Sequence, residues 1–157
     1  MMPIKRNENI VLLSKDHHFA LLFCWKIRNG LKQKASLQRI HDYILYFWNS
    51  HLHTHFKEEE NILFKGINDP LVVQAQQQHA EISALIDLIH TGKNVSEEQY
   101  NHLADMVDAH IRFEERDLFP RLESILSAEA LSSIGRQLTS VHKEIKDEFA
   151  DEFWLKK

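Results

Sequence analysis

The chain has 157 residues, of which 43% are hydrophobic and 27% charged, a size and balance that suit one globular domain over residues 1–157. Its net charge of −4 provides no basic face for nucleic acid, and the lack of a long apolar run argues against a membrane span. The single cysteine excludes an intrachain disulfide, so we expect a reducing, cytoplasmic location. With only four glycines and three prolines, long helices joined by short turns are favoured.

Apolar residues recur at alternating steps of three and four in five stretches, which is the spacing of an amphipathic helix. The first predicted helix runs from about Asn9 to Asn29, and Gly30 is a plausible stop signal. The second runs from about Ser36, a residue type suited to an N-cap, to Phe64. Both helices carry histidines on their apolar faces.

The third and fourth predicted helices also have recognisable starts. Asp69 is a cap that is followed by a proline, and the segment Thr91-Gly92-Lys93-Asn94 closes the third helix. Ser96 lies three residues before Gln99, a capping-box pattern that opens the fourth helix. Pro120 lies near the end of the fourth helix, where it either kinks the helix or sets its last turn.

A fifth helix is predicted from about residue 127 to residue 153. The connections between the helices are short, so neighbouring helices should be antiparallel. We therefore predict an all-α fold, an up-down-up-down four-helix bundle over about residues 9–125. The additional C-terminal helix would pack on the outside of this bundle.

Histidine is unusually frequent, with eleven residues, and part of this excess falls in an internal repeat. Residues 55–64 read HFKEEENILF, and residues 110–119 read HIRFEERDLF. Both fit the pattern His-x-x-x-Glu-Glu-x-x-Leu-Phe, with five identities in register. Each copy is preceded by a helix that carries a histidine on its apolar stripe, His17 before the first copy and His79 before the second.

This spacing predicts a metal site. Residues four apart on a helix share one face, so His55 and Glu59 can point inward together, as can His110 and Glu114. A lone core histidine is more often a satisfied polar residue than a ligand, but a buried carboxylate is costly unless it is paired or bound to metal. Four imidazoles and two carboxylates suit two ions that share bridging carboxylates, with iron, manganese or zinc as candidates.

At these residues the chain resembles the hemerythrin-like family, also called the HHE cation-binding domain. The resemblance rests on KDHH at 15–18, HFKEEENILF at 55–64, QQHAEI at 77–82 and HIRFEERDLFP at 110–120. It implies a four-helix bundle around a non-haem centre of two iron ions, with zinc or manganese as alternatives. By this resemblance the terminal ligands are His17, His55, His79 and His110, and the bridging carboxylates are Glu59 and Glu114.

The chain departs from the oxygen-carrying hemerythrins at one position. Those proteins have a further histidine four residues before the third-helix ligand, and here that position is Ala75. His51 lies four residues before His55 on the same stripe and is the candidate that could replace the missing ligand. His18 competes with its neighbour His17 for the inward position.

The remaining polar candidates are assigned outer or surface positions. Three glutamates beside the predicted ligands are expected to be solvated or to lie outside the ligand set, namely Glu58, Glu60 and Glu115. The other histidines lack a convincing partner spacing, and four of them are expected at the surface: His53, His90, His102 and His142.

The leading functional hypothesis is a protein that binds or senses a small diatomic or peroxide-like ligand (oxygen, nitric oxide or peroxide) or handles iron. An enzymatic alternative is a di-iron oxidase or peroxidase, although the Glu-x-x-His pair of ferritin-like bundles is absent from the sequence. A third hypothesis is a metal-free helical interaction module that uses the aromatic tail at Phe149, Phe153 and Trp154, for example to form a homodimer. Zinc-peptidase function is disfavoured, because no His-Glu-x-x-His occurs.

Overall fold

The computed structural model describes residues 5–92 and 95–156. In these residues every regular element is helical, which confirms the all-helical prediction. Lys93 and Asn94, assigned by the sequence to the turn after the third helix, lie outside the described residues. None of the described helices is long and apolar enough to cross a lipid bilayer.

The five predicted helices are found, and two of them contain π-helical turns. Helix α1 spans Val11–Lys32 and α4 spans Pro70–Thr91. The second predicted helix is a continuous helical stretch formed by α2 (Leu37–Phe47), a π turn (Trp48–Leu52), α3 (His53–Glu58) and a second π turn (Glu59–Leu63). The fourth consists of α5 (Glu97–Phe113), a third π turn (Glu114–Leu118) and α6 (Phe119–Ile125), and α7 spans Ala128–Val141.

The predicted helix starts are confirmed by their caps. The side chains of Ser36, Asp69 and Ser96 each accept a hydrogen bond from a backbone N–H in the first turn of the helix that follows. Pro70 occupies the first turn of α4, where its missing N–H costs no hydrogen bond. Gly92 ends α4 in the left-handed conformation, with φ of 71°.

The helices enclose two apolar clusters. The larger cluster contains aromatic residues from α1, α2 and α5, among them Phe23, Tyr43, Phe47 and Tyr100. The smaller cluster contains Ile10, Leu13, Leu63, Phe64, Val72, Ala75, Leu118, Phe119 and Leu122, together with three residues of α7. Helix α1 packs most extensively against α5, and α5 also packs against α4.

A buried polar layer separates the two clusters. Along α1 and α4 the chain passes from the smaller cluster through a buried histidine to the larger cluster. Along the second and fourth helical stretches the order is reversed. All four stretches therefore contribute polar residues at the same level between two apolar regions.

The fifth helix is shorter than predicted. It ends at Val141, and residues 142–156, here called the C-terminal segment, are not helical. Tertiary contacts outweigh the helical pattern there: Asp147 accepts hydrogen bonds from Lys26 Nζ (2.8 Å) and from the Tyr43 hydroxyl (2.6 Å), and Asn29 donates to the Trp154 carbonyl (2.6 Å). An extended path allows these contacts to be made along α1 and α2.

The first helix extends past its predicted end, because Gly30 does not end it. Helix α1 continues to Lys32, and Gly30 is buried beneath the ring of Phe153. The glycine therefore provides room for the C-terminal segment rather than a helix stop.

The substitution Gly30→Ala should destabilise the protein. An added Cβ would lie 2.6 Å from the Cδ1 and Cε1 atoms of Phe153, and such overpacking costs about 1–3 kcal/mol. The gain from replacing a mid-helix glycine with alanine is smaller, about 0.5–1 kcal/mol. Urea denaturation should therefore show a net loss of unfolding free energy. In a Phe153→Ala background the same substitution should be neutral or stabilising, and an equal loss in both backgrounds would contradict this packing.

Candidate metal centre

The six residues predicted as metal ligands come together in the polar layer. His17 lies on α1, His55 on α3, His79 on α4 and His110 on α5, and all four side chains are buried. Glu59 and Glu114 are the first residues of two π turns and have no exposed surface.

The two glutamates face the four imidazoles. Glu59 Oε1 lies 3.0 Å from His79 Nε2, and Glu59 Oε2 lies 3.4 Å from His55 Nε2 and 3.8 Å from His17 Nε2. Glu114 Oε1 lies 3.1 Å from His17 Nε2 and 3.3 Å from His110 Nε2. Each carboxylate therefore contacts imidazoles from both helical hairpins.

These atoms form two groups with the spacing of metal ligands, and the groups share both carboxylates. One group is His17, His55, Glu59 and Glu114, and the other is Glu59, His79, His110 and Glu114. In each group the donor atoms lie within 4.8 Å of one another. The arrangement has the form of two adjacent cation sites bridged by Glu59 and Glu114.

Several of these buried atoms have no hydrogen-bond partner. They are His17 Nε2, His55 Nε2 and both carboxylate oxygens of Glu59 and of Glu114. An unpaired buried carboxylate is costly, and in native proteins such groups are paired or coordinate metal. A cation between the imidazoles and the carboxylates would bind these atoms, so the donor set fits a metal centre.

The charges of the metal-free protein are mutually compensating. Burial by itself lowers the pKa of a histidine, but the neighbouring carboxylates of Glu114, Glu115 and Glu59 raise the pKa of His17 well above its usual value. Burial likewise opposes the charge of His55, yet nearby Glu59 and Asp16 raise its pKa to about 10. Protonated His17 and His55 would balance the charge of the buried carboxylates, and cation binding would release these protons.

Each imidazole has a second contact on its outer side, through Nδ1. We call the residue that accepts this hydrogen bond the outer partner. The pairs are His17 with Glu115 (2.7 Å), His55 with Asp16 (2.8 Å), His79 with Glu60 (2.8 Å) and His110 with Gln78 (2.6 Å). With Nδ1 donating outward, Nε2 is the nitrogen left to bind a cation.

The two hairpins use equivalent positions for equivalent roles. Glu60 follows Glu59 and is the outer partner of His79, and Glu115 follows Glu114 and is the outer partner of His17; these are the single histidines of the two hairpins. The residue before each single histidine, Asp16 or Gln78, is the outer partner of the histidine in the repeat. The structure thus gives the second glutamate of His-x-x-x-Glu-Glu a defined position.

The π turns follow the same repeat. They cover the fifth to ninth residues of both ten-residue copies, Glu59–Leu63 and Glu114–Leu118. In the first copy the N–H of Phe64 donates to the carbonyl of Glu59 over 2.7 Å, the five-residue step of a π turn. The last residue of each copy also stacks on a single histidine, Phe64 on His79 and Phe119 on His17.

Neither of the two additional candidates joins the six residues. His51 Nε2 donates to the carbonyl of Lys146 over 3.0 Å, and its ring packs against Tyr46 and Phe47. His18 is exposed, so His17 is the member of the pair that faces inward. The π turn at Trp48–Leu52, which contains His51, breaks the register with His55 on which this candidate depended.

Ala75, the position of the further histidine in oxygen carriers, is fully buried in the smaller apolar cluster. Each of the two groups therefore contains two imidazoles. No described residue takes the place of the missing third imidazole in either group.

Sequence reasoning missed three residues around the site. Asp16 and Gln78 precede predicted ligands, and their shared position in the two hairpins is a signal that could have identified them. His142 was expected at the surface, but its side chain is only 7% exposed and lies between Asp16 and Glu58. No local signal identifies His142, because its position depends on the path of the C-terminal segment.

The family model described as hemerythrin HHE cation binding domain matches residues 9–122 and, in a second and overlapping match, residues 76–153. The second match begins in α4, as expected if the second hairpin repeats the first. No curated protein and no solved structure matches the chain.

Cation binding should stabilise this protein. A ligand at 100 times its dissociation constant adds about 2.7 kcal/mol to the unfolding free energy for one site. Thermal unfolding followed by circular dichroism should therefore show a higher Tm with zinc or anaerobic ferrous iron than with a chelator. The variants His55→Gln and His79→Gln should lose most of this shift, whereas His51→Gln and His18→Gln should keep it. The same Tm shift in all four variants would contradict the site.

Proposed function

Because the chain belongs to the hemerythrin HHE cation-binding domain family, we propose that it is a non-haem di-iron protein that binds or senses a small ligand. The observation that carries this proposal is the pair of buried donor groups that share Glu59 and Glu114. Candidate ligands are oxygen, nitric oxide and peroxide, and iron handling is a related role of the same centre.

The number of donors supports two ions rather than one. Six protein ligands exceed the four of a tetrahedral zinc site, and they leave positions open on two six-coordinate ions. Mixed imidazole and carboxylate ligation is suited to iron, with zinc or manganese as alternatives. When bound, iron would supply a redox-active ion with an open coordination position.

The chain's own residues define the surroundings of that position. The four imidazoles and the two carboxylates offer a total charge of −2 when the histidines are neutral, which suits divalent cations. The apolar clusters above and below this layer limit the access of water. Phe56 stacks on His79 with a centroid separation of 3.9 Å and covers the second group on one side.

We also infer the up-down-up-down order of the bundle. The two apolar clusters are met in opposite order on successive helical stretches, as antiparallel neighbours require. This order brings the two copies of the repeat to the same level, and α7 lies outside this set of four.

Each of the two groups contains two imidazoles, and this favours a function other than oxygen carriage with the geometry of the oxygen-carrying hemerythrins. With Ala75 in place of a histidine, each ion would receive two imidazoles and share two carboxylates. Open positions would then exist on both ions, which suits sensing of a small ligand or transient handling of iron.

The location and partners of the protein are further parts of this proposal. The one cysteine, Cys24, is a buried free thiol, and its burial raises its pKa to about 12. A thiol of this kind does not require an oxidising compartment, so we propose a cytoplasmic location and a small-molecule partner rather than nucleic acid or a membrane. A homodimer stays a prediction.

Metal analysis and the visible spectrum of the purified protein test the di-iron proposal. We expect about two irons per chain and a charge-transfer band of a bridged iron pair. The double substitution Glu59→Ala and Glu114→Ala should abolish iron loading without loss of helix content, because it removes both shared ligands. A matched control, Glu81→Ala with Glu98→Ala, removes two exposed glutamates and should load iron like the wild type.

Other outcomes would select among the alternatives. One zinc ion per chain would contradict a two-ion centre. Unchanged iron loading in the Glu59 and Glu114 double variant would contradict the bridging assignment. Catalytic consumption of peroxide or ferrous iron would favour the oxidase or peroxidase, and a protein without metal whose Tm is insensitive to chelator would favour the interaction module.

A further inference from the structure

The C-terminal segment reaches the outer side of the metal centre at one residue. His142 Nδ1 donates to Glu58 Oε1 over 2.7 Å, and its Nε2 lies 3.3 Å from Asp16 Oδ1. The other oxygen of Asp16 accepts the hydrogen bond from His55 Nδ1. Contacts thus run from Glu58 through His142 and Asp16 to His55, with a hydrogen bond at each end and an ion pair between His142 and Asp16.

Asp16 needs such an anchor. A cavity of about 600 Å³ is lined by Asp16, His55, Glu58 and His142, with Lys143 and Lys146 at the C-terminal segment. Without His142 the Asp16 carboxylate would face this cavity, where water could bind it and its orientation would be less restricted. The carboxylates of Asp16 and Glu58 raise the pKa of His142 to about 9, so both ring nitrogens carry protons near neutral pH.

The half of the centre that contains His79 and His110 has no equivalent of His142 among the described residues. The outer partner of His110 is the neutral amide of Gln78, at the position equivalent to Asp16. The other outer partners, Glu115 and Glu60, are both carboxylates. The main difference between the two halves is therefore an anchored carboxylate behind His55 and an amide behind His110.

We propose that His142 is a positioning residue of the centre, which holds Asp16 against His55 and makes the half with His17 and His55 the one that binds the first cation. A carboxylate outer partner makes an imidazole a stronger ligand and fixes its ring, and an amide does so less. This inference rests on the proposed function, because it requires cation binding at the six ligands.

The test is an anaerobic calorimetric titration of the full chain with ferrous iron. The wild type should bind in two resolved steps. Asp16→Asn should weaken the first step by about 10- to 100-fold, the usual effect of losing an outer partner, so that the two steps merge. His142→Gln should weaken it by about 3- to 10-fold, because His142 acts on His55 only through its contact with Asp16.

A double variant decides whether His142 acts through Asp16. If it does, Asp16→Asn with His142→Gln should bind iron no more weakly than Asp16→Asn alone. The control His102→Gln changes an exposed histidine and should match the wild type. Effects that simply add, or a His142→Gln variant that titrates like the wild type, would overturn the proposal. Asp16, Glu58 and His142 also have donor atoms within 4.8 Å of one another, so a third iron that the wild type binds and His142→Gln does not would make His142 a ligand and overturn the proposal.

Two further measurements separate this role from folding and from the proposed function. Gln78→Glu places a carboxylate behind His110 without touching the C-terminal segment, so it should strengthen the second step, and no change would contradict the role assigned to outer carboxylates. Circular dichroism and the metal-free Tm show whether each variant folds. A wild type that binds no iron would overturn both proposals. A wild type that binds two irons, with a His142→Gln variant whose titration is identical, would overturn only this one.

Discussion

The structure depends on two carboxylates that are fully buried and close to four imidazoles. Glu59 and Glu114 have no exposed surface, and no hydrogen bond satisfies their oxygens. Removing such charges from water costs several kcal/mol each unless positive charge replaces the solvent. The raised pKa values of His17 and His55 favour protons that supply such charge, and cations bound between the imidazoles and the carboxylates would supply it as well. The apolar clusters on both sides make this requirement strict, because they leave the carboxylates no route to water.

The chain places a buried glutamate beside the imidazoles twice, with the same local structure in both repeats. In each repeat a π turn begins at the buried glutamate, Glu59 or Glu114, and the next residue is a second glutamate that contacts a histidine from the other hairpin. A π turn inserts one residue into the helix, which changes the faces available to the adjacent residues. Neighbouring glutamates can therefore contact opposite sides of one imidazole ring, the first at Nε2 and the second at Nδ1. The motif thus places a candidate ligand and an outer partner at successive positions.

Much of the fold and of the candidate site could be predicted from the spacing of residues in the sequence. The features that could not be predicted have identifiable physical reasons. Helix starts follow from local chemistry at Ser36, Asp69 and Ser96, and the positions of the six inward residues follow from the four-residue period of a helix. The π turns have no such period, so the sequence could not place His51 outside the site. The C-terminal segment follows a helical pattern to Phe153, but its contacts with Lys26, Tyr43 and Asn29 favour an extended path. These contacts join residues more than 100 positions apart, which no local pattern reports.

The same long-range contacts break the symmetry of the centre. Because both groups share both carboxylates, a difference between two bound cations has to come from the imidazoles and the residues behind them. Three of the four outer partners are carboxylates, so the amide of Gln78 sets one imidazole apart. The chain adds His142 only on the opposite half, beside Asp16. If the centre binds two cations as proposed, the repeat does not make their sites equal, because Gln78 replaces a carboxylate behind one imidazole and the C-terminal segment adds His142 beside Asp16.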